Sequence, residues 1–497
     1  MRFSKKWILL VCLLAFCSCA SKKDGFTLMH YNDVYELLPS DENVAGGAAR
    51  AATLLKQFPE EGRLDLFGGD ALGSSHLSRI FHGEQMIKAF NQLGLDVAVV
   101  GNHELDFGLE NFYERQKESD FKWLATNLKL KENKQQLPGV ESSALFEVNG
   151  FKVGVIGVIG NYLPGVSVRE QLLYDDFVTA AKEQVKKLKD QGAEYIVALT
   201  HMYLEEDKKL AEQVEGIDLI LGGHDHEIIN EVANGVPIIK AGSDWQTIAA
   251  IKVKKTEQGF TESITLLPVN KELASDSQMQ ALVTDYSKKY EDKSGRKENE
   301  LLGKTNVELN TIADYVRTKE AVIGNFIADA IRDYANVDVA FQNGGGIRSN
   351  RKYSVGNITL KDMASIFPFE NTIVAYEVKG EDLRRVFETS VSRYEEKGGG
   401  FLQISGAKYV FDSRKPVGKR VSKIEIAGKP IVDNKVYRVA TNDYLAKGND
   451  GFNAFKKSKP IPLEENKLIL DIAVERLLAL REINPKIEGR IVNLADN

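Results

Sequence analysis

Cysteine is nearly absent from this chain: there are 3 in 497 residues, and Cys12, Cys17 and Cys19 all fall at its very start. Past Cys19, neither a disulfide nor a thiolate metal site can form, so stability must come from ordinary apolar cores. Long apolar runs are missing as well. ILLVCLLAF follows the basic MRFSKKW and is too short to span a bilayer; with small residues at Ser18, Cys19 and Ala20, residues 1–19 read as a secretory signal and imply export. Neither sign of charge dominates: 65 Lys and Arg face 71 Asp and Glu, a net charge of -6 with pI near 5.8, which excludes a nucleic acid polymer as the main partner. Internal repeats and low-complexity tracts are absent too. Histidine is scarce, at 7 residues, and its placement carries the rest of the reading.

A length of 497 residues exceeds what one core usually organises, and 43% hydrophobic with 27% charged residues is a globular composition, so two domains are predicted. In the first, spanning 25–268, strand-like runs alternate with helical ones such as GGAARAATLLKQF, HGEQMIKAFNQLG and DDFVTAAKEQVKKLKDQ, which implies βα units and sheets covered by helices. Residues 269–300 keep helical spacing but are mostly polar, and read as a solvated connecting helix or hinge. The second domain then covers 301–497.

Apolar runs in the first domain end on metal-type donors. FTLMHYND stops at Asp33, LDLFGGD at Asp70, VAVVGNHE at Asn102 and His103, YIVALTH at His201, and IDLILGGHDH at His224 and His226. Buried strands that deliver Asp, Asn and His from their C-terminal ends are what an α/β sheet needs to build a site there. Any one of these alone is a turn residue or a satisfied polar group; the series is not. Carboxylate, amide carbonyl and imidazole together suit two divalent cations sharing a bridging Asp. In GNHELDFG, His103 and Asp106 are close enough to hydrogen-bond, which fixes the imidazole tautomer and favours its protonated form.

At these residues the chain resembles the calcineurin-like metallophosphoesterases and, more narrowly, the bacterial and ecto-5'-nucleotidase family. The resemblance implies a four-layer αββα first domain, a connecting helix and an α/β nucleotide-specificity domain, so the fold class is α/β and α+β. It implies two divalent ions of the Mn, Zn, Co or Mg type: Asp33, Asp70 and His226 for one, and Asp70, Asn102, His201 and His224 for the other. It also implies a catalytic dyad of His103 and Asp106. The family's first motif reads Asp-x-His, whereas Asp33-Val34-Tyr35 puts a phenol at the last position, to coordinate, to bind through water or to pack. His30 is read as a core residue or one behind the ligands, and Asp225 as orienting an imidazole.

The second domain carries NGGGIR, FPFENT, GGGFLQISG and ATNDYLAKGNDGF, which match the family's C-terminal domain. By resemblance Arg317 and Arg348 hold substrate phosphate, Asn343 lies at the glycine turn, Phe369 and Tyr444 sandwich the base, and Asp450 accepts from the ribose. Stacking on two rings tolerates every base. The implied activity is hydrolysis of 5'-nucleotides to nucleosides for extracytoplasmic salvage; alternatives are a UDP-sugar or 2',3'-cyclic-nucleotide hydrolase, or a catalytically decayed surface-binding lipoprotein. FCSC resembles a bacterial lipoprotein box, so Cys19 is either lipidated, giving the only membrane contact, or removed with an ordinary signal. That places the protein in the periplasm or on the outer membrane.

Overall fold

The computed structural model describes residues 24–39, 46–161 and 166–496. The signal segment and Cys19 lie outside these residues. In the first half, two sheets stack face to face. One runs Gly259–Pro268, Thr247–Thr256, Gly25–Tyr31, Arg63–Phe67, Val97–Val99, Lys122–Leu124, Val140–Glu141, with the last five strands parallel. The other runs Ile228–Ala233, Val236–Ala241, Leu219–Gly223, Tyr195–His201, Phe151–Ile159, Ser143–Val148, parallel through its centre. Strands covered on both faces need near-continuous apolar sequence, and YIVALTH is buried at every position.

Leu28, Leu66 and Val99 of one sheet meet Val155, Leu199 and Leu221 of the other to form the central layer. Helices Ala48–Leu55 and Glu84–Leu93 cover the outer face of the first sheet, and Phe177–Asp190 and Leu204–Gln213 that of the second. The order of layers is therefore αββα. His30 sits between the sheets, its Nε2 3.1 Å from the Gly222 carbonyl and its Nδ1 3.3 Å from that of Leu66. Burial pushes its pKa down to about 4.

The connecting segment departs from the sequence expectation. Its helix is Ser277–Ser294, capped by the Asp276 side chain, which accepts from the Met279 N–H at 3.0 Å. It is not a solvated bridge: Met279, Val283, Tyr286 and Tyr290 are all buried and join the helical layer of the first domain. Their spacing of four, three and four residues makes one narrow stripe. Two of the four are tyrosines, which bury a ring while the hydroxyl keeps a polar partner, as Tyr286 does by donating to Glu84 at 2.7 Å. A polar average over the segment conceals such a stripe.

In the second half a five-stranded sheet runs Leu402–Ser405, Val339–Asn343, Val436–Asn442, Ile373–Lys379, Lys459–Ile461. Helices Val322–Ala335 and Ile469–Leu480 pack on one face and Gly380–Ser390 on the other, giving two separate cores. Among the described residues no helix is long and apolar enough to cross a membrane.

Candidate active site

The candidate ligands come from both sheets of the first half. Asp33, Asp70 and Asn102 follow the ends of Gly25–Tyr31, Arg63–Phe67 and Val97–Val99; His201 ends its own strand, and His224 and His226 follow Leu219–Gly223. Four of them have left-handed backbone, with φ of 52° at Asp33, 68° at Asp70, 81° at His224 and 60° at His226. Non-glycine residues adopt this region at a cost, and strain of that kind gathers at functional sites. Gly223 explains the preceding glycine: a Cβ there would lie 2.4 Å from the Gly68 carbonyl oxygen and 2.9 Å from Asp33 Oδ2, so only glycine lets the two sheets' loops approach.

The donors converge. His201 Nε2 is 3.2 Å from Asp70 Oδ2 and 3.1 Å from Asn102 Oδ1; His224 Nδ1 is 3.1 Å from the same Asn102 oxygen and 3.3 Å from His201 Nε2. On the other side His226 Nε2 is 3.2 Å from Asp33 Oδ1. Asp70, His201 and His224 offer one ligand atom each within 4.8 Å of one another. Burial pushes the two carboxyls up, yet His201 and His103 hold Asp70 well below the usual range and His226 holds Asp33 below it. Burial likewise opposes charge on His201, but Asp70 holds it up to about 10. A ring of lone pairs facing one point, with carboxylates demanding positive charge, fits divalent cations.

Tyr35 is buried in the middle of this ring. Its hydroxyl lies 3.0 Å from Asp70 Oδ2, 3.0 Å from His226 Nε2 and 3.4 Å from Asp33 Oδ1. Burial, then Asp70 and Asp33, push the phenol well above its ordinary range, so it is a neutral hydroxyl that donates.

His103 Nδ1 lies 2.7 Å from Asp106 Oδ2 and 3.0 Å from Ser74 Oγ, and the His103 backbone N–H donates to Asp70 Oδ1 at 2.8 Å. Dyad and candidate bridging carboxylate are thus tied through one residue. Two supports escaped the sequence reading. Glu104 accepts from the backbone N–H groups of Asp70, Ala71 and Gly101 at 2.9, 2.7 and 2.6 Å and so fixes the turns carrying Asp70 and Asn102. Lys240 is fully buried, pairs with Asp207 at 2.8 Å and with Asp225, and donates to the carbonyls of Met202 and Gly223 at 2.6 and 2.9 Å. A lysine inside the apolar VPIIKA was the one available signal. The Asp225 expectation is corrected: its carboxylate pairs with the Lys240 ammonium, the strongest partner within reach, and not with an imidazole.

The second half faces this ring across a cavity of about 1320 Å³, lined by Asn102, His103, Asp106 and His224 on one side and by Arg317, Asn343, Arg348, Phe369, Tyr444 and Asp450 on the other. The Arg348 guanidinium lies 5.2 Å from the Tyr35 ring and 5.9 Å from that of Phe369, and Phe369 stacks on His103 at 6.0 Å. Arg317 Nε and Arg348 Nη2 are buried donors with no partner among the described residues. Burial, followed by the charge of Arg348, lowers the Arg317 pKa. Buried polar groups are normally paired, so two adjacent guanidinia with free donors make a place for an anion. Asn343 is partly committed, its Oδ1 accepting from Asn442 at 2.9 Å. Tyr203, also on the cavity wall and unnoticed in the sequence, sets its ring edge-on to His224 at 4.4 Å.

Residues 26–227 match the family described as calcineurin-like phosphoesterase, and residues 301–457 match the 5'-nucleotidase C-terminal domain. The chain is 30% identical to the 5'-nucleotidase of Rattus norvegicus, the alignment covering 98% of this chain and 94% of that protein. It is 28% identical to that of Diplobatis ommata, over 97% and 92%. The crystal structure of a 5'-nucleotidase precursor from Thermus thermophilus superposes with a TM-score of 0.85 at 25% identity, over 94% of this chain and 99% of that one. The chain belongs to the 5'-nucleotidase family, in which a calcineurin-like phosphoesterase domain is joined to a 5'-nucleotidase C-terminal domain.

Proposed function

We propose that this protein removes phosphate from 5'-nucleotides outside the cytoplasm, liberating nucleosides, with residues 25–268 supplying the chemistry and 301–497 holding the nucleotide. The observation that carries this reading is the cavity that sets the unpartnered donors of Arg317 and Arg348 opposite the Asp and His ring. Asp33, Asp70 and His226 would hold one divalent cation, and Asp70, Asn102, His201 and His224 a second. Cations there supply a water nucleophilic at neutral pH and neutralise charge at phosphorus.

The protein's own residues do the rest. Arg317 and Arg348 present planar forks to the phosphate oxygens and turn the phosphorus toward the ring. His103, held by Asp106, places an N–H where negative charge develops on the phosphate or the leaving oxygen. Phe369 and Tyr444 offer π-faces to the base, and Asp450 accepts from the sugar. The signal segment and a lipid at Cys19 would put the site in the periplasm or on the outer membrane.

The test is a panel of 5'-mononucleotides, UDP-sugars, 2',3'-cyclic nucleotides and a small aryl phosphate, each with and without Mn²⁺, Co²⁺, Zn²⁺ or Mg²⁺. The expected result is cation-dependent release of phosphate from mononucleotides, lost in Asp70→Asn while circular dichroism and melting show a folded protein. Turnover that persists in chelator with no cation found by metal analysis would overturn the reading, and so would cation binding without turnover of any nucleotide.

A further inference from the structure

Asp450 is aimed into the cavity by a costly turn. Its φ is 52°, between Gly448 and Gly451 at 87° and 88°, and the Asn449 side chain ties the turn down by donating to the Tyr444 carbonyl at 2.9 Å. The glycine ridge behind it leaves no slack: a Cβ on Gly400 would stand 3.1 Å from Asp450 Cβ. The carboxylate is therefore fixed in place, and its approaches are few. One of them is already taken, because the Tyr444 hydroxyl donates to Asp450 Oδ1 at 3.2 Å.

We propose that Tyr444, by occupying one oxygen of Asp450, makes this site accept 2'-deoxyribonucleotides nearly as well as ribonucleotides. The inference rests on the nucleotide reading above and deepens it. A carboxylate with both oxygens open grips a vicinal diol with two charge-assisted hydrogen bonds, and a deoxyribose forfeits one of them. Here the second sugar hydroxyl must displace the phenol. That trades one O–H···O⁻ bond for another, and the net gain from the extra hydroxyl falls toward zero. Oδ2 remains for a single hydroxyl, which either the 2'- or the 3'-position satisfies.

The phenol is a durable occupant. Burial, followed by the charge of Asp450, pushes its pKa well above the ordinary range, so it keeps its proton. Burial also pushes the Asp450 carboxyl up, and the Tyr444 hydrogen bond works against that rise, so the pair favours its own persistence. Tyr444 thus acts on specificity through its hydroxyl and on base binding through its ring, and the two roles separate in Tyr444→Phe.

The experiment measures kcat/KM for a 5'-ribonucleotide and its 2'-deoxy counterpart with the same base, on the native enzyme and on Tyr444→Phe, with a small aryl phosphate as control. The expected ribo-to-deoxy ratio is within about threefold for the native protein and rises about tenfold in Tyr444→Phe, the worth of one hydrogen bond to a carboxylate. Circular dichroism and a melting curve matching those of the native protein show that the variant is folded. A ratio that the substitution leaves where it was overturns the proposal, as does a native enzyme that prefers the ribonucleotide by more than about tenfold. Failure of the nucleotide reading is a different result: neither nucleotide is then hydrolysed while the aryl phosphate is, and the proposal falls with it.

Discussion

Tyr35 puts a neutral hydroxyl where Asp33, Asp70 and His226 converge, under a guanidinium 5.2 Å from its ring. A phenol held far above its ordinary pKa is a weak donor to a cation compared with an imidazole nitrogen, whose lone pair is free at neutral pH. The side of the ring formed by Asp33 and His226 should then hold metal more loosely than the side formed by Asn102, His201 and His224. Tyr35→His is predicted to tighten the weaker of two cation-binding steps by about tenfold in calorimetric titration, the scale on which one partner of a metal site changes its affinity. Two steps of equal affinity, unmoved by the substitution, would show that the hydroxyl is no handicap.

At the scale of elements, the strand Val236–Ala241 carries its lysine beneath the two loops that bear the candidate ligands His201 and His224. Lys240 holds the carbonyl that follows His201 and the one that precedes His224, so a single ammonium sets the spacing between those two imidazoles. Asp207 and Asp225 neutralise it, and Asp207 also accepts from Thr200 at 2.6 Å. Lys240→Met fills the volume but leaves these carboxylates without their cation. Removing one partner of a buried pair costs about 3–5 kcal/mol, so the midpoint of denaturant unfolding should fall accordingly. A variant as stable as the native protein would mean that the aspartates find water instead.

Across the whole molecule, the halves meet through polar contacts as well as through the rings of His103 and Phe369. Lys397 of the second half pairs with Glu227 at 3.0 Å, one residue past His226, and with Asp314 at 2.5 Å. Elsewhere His76 is fully buried, with Nδ1 3.1 Å from Glu36 and Nε2 3.0 Å from Glu298 at the end of the connecting segment, while Ser365 of the second half donates to Glu36 at 3.3 Å. Burial opposes a charge on His76, but Glu36 and Glu298 hold its pKa up to about 9, from an ordinary 6.5. A pKa raised on folding gives stability that is fully present below pH 6.5 and is lost as pH climbs through about 9, on the order of 3 kcal/mol in all. Melting curves between those limits should show the decline, and His76→Gln should flatten it; a decline of the same slope in the variant would assign it to other groups.

The strands and the residues at their ends were legible because their signals are local. An apolar run that stops at Asp33, Asp70 or His201 needs no knowledge of its neighbours, and a strand buried on both faces, such as Tyr195–His201, announces itself by having no polar alternation. The same holds for the glycine turn after Val339–Asn343. Family resemblance supplied the grouping of the distant candidate ligands, but no residue pattern revealed the other facts that depend on a partner far along the chain. The burial of Tyr286 is decided by helices far earlier in the chain, and the choice of Asp225 for Lys240 over an imidazole by the distance across two strands. The hydroxyl of Tyr35 gains its position from Asp70 and His226, and that of Tyr444 from a turn whose shape its own residues do not reveal. Sequence alone determined which residues could carry the chemistry, because donor type and strand ends are written residue by residue; tertiary structure decided which of them face one another, because packing two sheets and two domains closes distances that no local pattern encodes.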